Sequence, residues 1–146
     1  MPEYSFRIRE KEGSEMIFDQ IRKKFVKLTE EEWVRQNFIQ YLITEGKYPA
    51  GLLGVEVMYK RKGLKRRVDI LVHNRKGEPV LIVECKSHAV RLDDSVRDQL
   101  GEYNMKFKVP YVIVTNGEKH YAFKFDSEKN EYDYLMAIPL YEDLLT

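Results

Sequence analysis

The chain has 146 residues, 43% of them apolar and 12% aromatic, which is the size and composition of one domain with a substantial core. Its 25 Lys and Arg nearly cancel its 24 Asp and Glu, so overall charge makes no case for a polyanionic partner, and any such case must be local. A single cysteine, Cys85, excludes an intrachain disulfide framework and a multi-cysteine zinc site. With no apolar N-terminal run and no stretch of about 18 apolar residues, the expectation is a soluble, cytoplasmic protein.

Tyr4, Phe6 and Ile8 alternate with polar residues, Lys11 to Ser14 reads as a turn, and Met16 to Phe18 is again extended, which predicts an N-terminal hairpin. Thr29 followed by Glu30, Glu31 and Glu32 has capping-box spacing, with Glu32 as the capping glutamate, and opens a helix that runs to about Glu45 before Gly46. Trp33 and the tyrosines are expected to fill core. Leu53 to Tyr59 and Arg67 to His73 read as two strands joined by a basic turn from Lys60 to Lys65. A second turn, Asn74 to Glu78, leads into Pro79 to Lys86 (PVLIVECK), a near-continuous apolar run of the kind covered on both faces. Asp93 to Phe107 reads as a helix with Val96, Leu100 and Tyr103 on one stripe, and Val109 to Thr115 as a buried strand. Strand, helix, strand predicts a right-handed parallel crossover. Lys119 to Phe125 and Tyr132 to Ile138 complete the chain as further strands.

Glu84 and Lys86 continue the alternation of Val80 and Ile82, so both charges leave one face of an otherwise buried strand. Charges kept there are paired, ligate a metal or meet a charged ligand. Asp69 sits on the preceding strand, joined by a short turn, and lies beside Glu84 if the two strands are antiparallel neighbours. Two carboxylates with the backbone carbonyl of Cys85 between them make a hard oxygen site for Mg²⁺ or Mn²⁺. Lys86 is then placed to orient an attacking water and offset charge at a phosphate. The competing account is a structural ion pair between Glu84 and Lys86. The cluster Lys60, Arg61, Lys62, Lys65, Arg66 and Arg67 leads into Asp69 and is either a DNA-phosphate grip or a solvated tip.

Asp69 followed after fourteen residues by Glu84-Cys85-Lys86, on a hairpin that precedes a helix and a strand, resembles the PD-(D/E)XK or restriction-endonuclease-like nuclease superfamily. Val68 stands where the name-giving proline would be. Gln99 and Tyr103 in DQLGEYN resemble the Gln-x-x-x-Tyr motif of the branch found in recombination and repair exonucleases. The segments IFDQIRKKFVKLTEEEWVRQNFIQYL, KRRVDILV, LIVECKS, DQLGEYN and VPYVIVTNGEKHY look like the N-terminal nuclease domain of type I restriction enzyme R subunits. No helicase motor fits in this length, and no GxxxxGKS loop is present.

The resemblance implies an α/β fold with an αβββαβ core, a mixed central sheet flanked by helices, an N-terminal hairpin and C-terminal strand additions, in a single domain over residues 1–146. It implies magnesium-dependent DNA hydrolysis with Asp69, Glu84, Lys86, Gln99 and Tyr103 at the site, and a helicase, translocase or other restriction-modification subunit as partner. A further acidic ligand from the first helix is common in the superfamily. Glu31, near the middle of the face that carries Val34, Phe38, Tyr41 and Leu42, is the candidate, with Arg35 at the edge of that face as a DNA contact. A catalytically silent nucleic-acid-binding or docking module of a restriction or repair assembly, and a ribonuclease or toxin-like nuclease, are the alternatives.

Overall fold

Helix α1 (Glu30–Thr44) starts where the sequence places it, because Thr29 Oγ1 accepts the Glu32 N–H at 3.0 Å and three glutamates follow at the positive end of the helix dipole. A computed structural model describes residues 2–87 and 95–145, and among residues 95–97 only the backbone. The helix ends as Glu45 and Gly46 both donate to the Tyr41 carbonyl. Gly46 is required there, since a Cβ would stand 2.7 Å from the Tyr48 ring. Thr29→Ala is expected to cost about 1 kcal/mol, read as a Tm lower by about 2–4 °C in a thermal melt. An unchanged Tm would show that water replaces the cap without loss.

Only half of the expected capping box forms. Glu32 does not return to Thr29; its carboxylate is buried and accepts from Arg22, Arg35 and Gln36. Charge-assisted bonds from two guanidinium groups outcompete one backbone N–H.

The N-terminal hairpin gains a third strand. β1 (Ile8–Lys11), β2 (Ser14–Asp19) and β3 (Lys24–Lys27) form an antiparallel sheet of their own. Trp33, expected in the core, is 37% exposed and meets Phe6 edge-on at 5.4 Å.

The large sheet runs in the order β4 (Leu53–Arg61), β5 (Leu64–His73), β6 (Pro79–Cys85), β7 (Tyr111–Thr115), β8 (His120–Asp126), β9 (Glu131–Leu135). Every neighbouring pair is antiparallel except β6 and β7, which are parallel across α2 (Ser95–Phe107). The predicted helix start at Asp93 and Asp94, and the Val96 side chain, lie outside the described residues. The succession α1, β4, β5, β6, α2, β7 is the αβββαβ core of a restriction-endonuclease-like fold, and β8 and β9 are the C-terminal additions.

β6 is covered on both faces, as its apolar run requires. Leu81, Val83 and Cys85 join the core with Val34, Phe38 and Leu42 of α1, while Ile82 joins Leu100 and Tyr103 of α2. The charges at its C-terminal end therefore emerge between the two helices. The basic turn expected from Lys60 to Lys65 is much shorter: only Lys62 and Gly63 turn, with φ of 50° and 78°, as a tight hairpin needs. The remaining basic residues lie along two paired strands. Among the described residues no helix is long and apolar enough to cross a membrane.

Candidate active site

The pairing of Ile70 with Val83 carries Asp69 to the position across from Glu84. Asp69 is 7% exposed, and both of its oxygens are engaged. Oδ2 accepts the Cys85 N–H at 2.7 Å and Oδ1 accepts Arg35 Nη2 at 2.8 Å. Glu84 Oε1 accepts from Lys86 Nζ at 3.2 Å and from Gln99 Nε2 at 3.3 Å, and Oε2 accepts the Tyr103 hydroxyl. Gln99 and Tyr103 reach one carboxylate because residues four apart share a helix face. Cys85, between Glu84 and Lys86, has a buried thiol whose pKa burial pushes well up, which leaves it unreactive.

Glu31, half-exposed on the first turn of α1, stands 3.3 Å from the same Arg35 Nη2 and borders a cavity of about 280 Å³ with Asp69 and Glu84. Lys65, Arg66 and Arg67 line that cavity; Lys60, Arg61 and Lys62 belong to the outer part of the β4–β5 ribbon and do not. Arg66 faces Glu102 at 3.9 Å, and Arg67 donates to Glu56.

Burial, then the charge of Asp69, raises the carboxyls of both Glu31 and Glu84; Arg35, Lys86 and Tyr103 lower them by less. Three of the carboxylates at this opening, Glu31, Asp69 and Glu84, thus crowd one another where water is partly excluded. The folded chain holds protons there that the unfolded chain releases, so stability falls as pH rises from the ordinary carboxylate range through the raised values. Among the described residues no three acidic, histidine or cysteine groups stand ready as a closed metal cage. The donor set nevertheless fits a hard divalent cation: all ligating atoms are oxygens, and both Asp69 oxygens and Glu84 Oε2 each keep a lone pair beyond the one bond they accept.

Arg35 corrects an expectation. Placed by its helix position at a DNA-facing edge, it is 4% exposed and engaged with Glu31, Glu32, Glu56 and Asp69. The β4–β5 hairpin closes over that side of α1 and presents carboxylates, which makes the guanidinium an internal counter-ion. Arg22 does the same one layer out, pairing with Asp19 at 2.5 Å, Glu32 at 2.9 Å and Glu56 at 3.0 Å. The sequence reading gave Glu32 only a capping role and singled out neither Arg22 nor Glu56. The available signal was the spacing of Glu32, Arg35, Gln36 and Ile39, which puts three polar residues on an otherwise apolar stripe.

Glu56 has a second peculiarity. Val55 pairs with Ile70 and Val57 with Val68, while the intervening Glu56 and Asp69 make no ladder pair and Glu56 has φ of 53°. Val55 and Ile70 pack in the α1-side core, and Val57 and Val68 in the α2-side core. The inside-outside alternation is therefore interrupted at the residue that carries the Asp69 carboxylate.

Residues 30–139 match the family described as type I restriction enzyme R protein N terminus. The structure is similar, with a TM-score of 0.58 and 18% identity, to a fragment described as an HsdR subunit of a type I restriction enzyme from Vibrio vulnificus YJ016. That similarity covers 81% of this chain and 25% of the other, so the chain spans about a quarter of that structure's length. A search of curated proteins gave no match.

Proposed function

The chain belongs to the family of type I restriction enzyme R protein N termini, and on that premise we propose that it is a metal-dependent deoxyribonuclease of the PD-(D/E)XK type. The observation that carries this reading is the convergence of Asp69, Glu84 and Lys86 at one strand end, with Lys86 Nζ 3.2 Å from Glu84 Oε1. Asp69 and Glu84, with Glu31 and the Cys85 carbonyl, would hold Mg²⁺ or Mn²⁺. When bound, such an ion lowers the pKa of a water and offsets charge on the scissile phosphate.

The chain's own groups supply the rest. Gln99 and Tyr103 hold the Glu84 carboxylate in one orientation from α2. Lys86, bonded to that carboxylate, orients the attacking water through its ammonium protons and adds positive charge beside the phosphate. Lys65, Arg66 and Arg67 neutralise flanking phosphates. The side chains at the opening are mainly cationic and acidic, suited to backbone contact rather than to reading base edges, so cleavage carries little sequence preference of its own. The partners proposed are DNA and, given the span relative to the HsdR fragment, a translocase or other restriction-modification subunit.

A second reading has one observation in its favour, the Arg35–Asp69 bond, which offsets the charge a metal would use. On that reading the fold is a silent docking module. Calorimetric titration of Mn²⁺ and Mg²⁺ into the wild-type chain, Asp69→Ala and Glu84→Ala, followed by incubation with linear and circular DNA, separates the two. The nuclease reading expects metal binding by the wild type and a loss of affinity of at least about a hundredfold in each variant, with cleavage lost alongside. Metal binding without cleavage keeps the site and points to a missing subunit. A folded wild-type chain that binds neither ion sinks the nuclease reading and leaves the docking module.

A further inference from the structure

We propose that Glu56 is a positioning residue, which holds Arg35 so that Asp69 keeps both its orientation and its negative charge for a divalent cation; this rests on the metal-site reading above. The Glu56 carboxylate bonds to Arg22, Arg35 and Arg67 rather than to Asp69. It acts through the guanidinium that lies between them: Arg35 Nη1 donates to Glu56 Oε1 at 3.1 Å, and Arg35 Nη2 donates to Asp69 Oδ1 at 2.8 Å.

Three observations converge on that role. The first is the backbone: Glu56 occupies the left-handed region inside a nine-residue strand, a conformation that strains a non-glycine residue. It does so at the rung where the β4–β5 ladder is not made and Asp69 stands opposite. The second is the distribution of its bonds. Oε1 takes Arg22 and Arg35, and Oε2 takes Arg67, so one carboxylate gathers three guanidinium groups. The third is electrostatic: without Glu56, the charge of Arg35 would fall on Glu31, Glu32 and Asp69 alone. Two of those are the carboxylates proposed to hold the metal. Glu56 and Glu32 together draw Arg35 Nη1 away from the opening, which leaves Asp69 bonded to a single guanidinium nitrogen.

Among the described non-glycine residues with positive φ, Glu56 is the one that lies within a strand, where glycine would meet the backbone without strain. Glu56→Gln preserves shape and most hydrogen-bonding capacity while removing the charge, and it is the informative variant. Two readouts test it in the intact chain. One is Mn²⁺ affinity by calorimetry, expected to fall about tenfold as the uncompensated charge of Arg35 moves onto the site. The other needs no metal: the Cys85 amide donates to Asp69 Oδ2, so its resonance and its hydrogen-exchange rate report where Asp69 sits, and both are expected to change.

A Cys85 amide that stays as in the wild type overturns the proposal, whatever the metal result. A folded variant with wild-type Mn²⁺ affinity, in a protein that binds the ion, overturns it as well. If the Cys85 amide moves but the wild type itself binds no Mn²⁺, the positioning of Asp69 by Glu56 stands and the metal reading fails. Should Glu56→Gln not fold, Glu56→Asp keeps the charge but shortens its reach, and the same two readouts apply with smaller changes.

Discussion

Arg35→Ala is expected to destabilise the fold by about 3–5 kcal/mol, the range for breaking a buried charge network by removing one partner. For a chain of this size that lowers Tm by roughly 10–15 °C, and it consumes a large share of a typical total stability of about 5–15 kcal/mol. The reason is the number of dependents. Glu31, Glu32, Glu56 and Asp69 all pair with this one guanidinium, and Glu32 and Asp69 are themselves buried. Arg22 reaches only Glu32 and Glu56 of the four. Arg35→Lys is not a mild change either, because one ammonium lacks the planar fork that serves several carboxylates at once. The guanidinium is not perfectly satisfied, since Nε is buried without a partner, and this keeps the expected loss within the stated range. A thermal melt by circular dichroism decides it. A Tm within about 2 °C of the wild type would mean that the four carboxylates protonate or reach water without appreciable cost.

Lys86→Met is expected to separate binding from chemistry. If Lys86 orients the attacking water, cleavage falls by about a hundredfold to ten-thousandfold, while Mn²⁺ affinity stays equal or rises, because one positive charge beside Glu84 is gone. The Lys86 side chain is only about three-quarters buried, at 25% exposure, and Glu84 keeps Gln99 and Tyr103 as donors, so the fold should tolerate the change. Single-turnover cleavage of a short duplex together with calorimetry reads both quantities. Cleavage within threefold of the wild type would remove Lys86 from the mechanism and return it to the role of an ion-pair partner for Glu84.

The core of the fold was legible because its signals are local. VPYVIVT and PVLIVECK are apolar runs too continuous for an exposed strand, and they became β7 and β6 side by side. Asp69, Glu84, Lys86, Gln99 and Tyr103 converge for a similar reason: a short turn sets the β5–β6 register, and a four-residue step sets the α2 face. What stayed hidden depends on pairing between distant segments. The burial of Arg35 needed the closure of β4 over α1, twenty-one residues away at Glu56, and no helical wheel contains that. β3 escaped because its four residues hold only Phe25 and Val26 as apolar signals, and they are a strand only because β2 offers an edge. Trp33 was misplaced because amphipathic patterning gives the angle of a residue on a helix, not the reach of the neighbour expected to cover it.

The ion pairs of Arg22 bear on where this unit may be divided. The family match covers residues from 30 on, after the three-stranded sheet, yet Arg22, in the β2–β3 turn and held there by Asp19, pairs with Glu32 and Glu56. A chain begun at residue 30 would leave Glu32 with Arg35 and the Gln36 amide but without Arg22, and would draw the Arg35 guanidinium away from Asp69. The bounds of the family match and of the cooperative unit therefore do not coincide: the turn before the match supplies a counter-ion to the residues inside it, and a trimmed domain would inherit the motif residues without the charge balance that sets them.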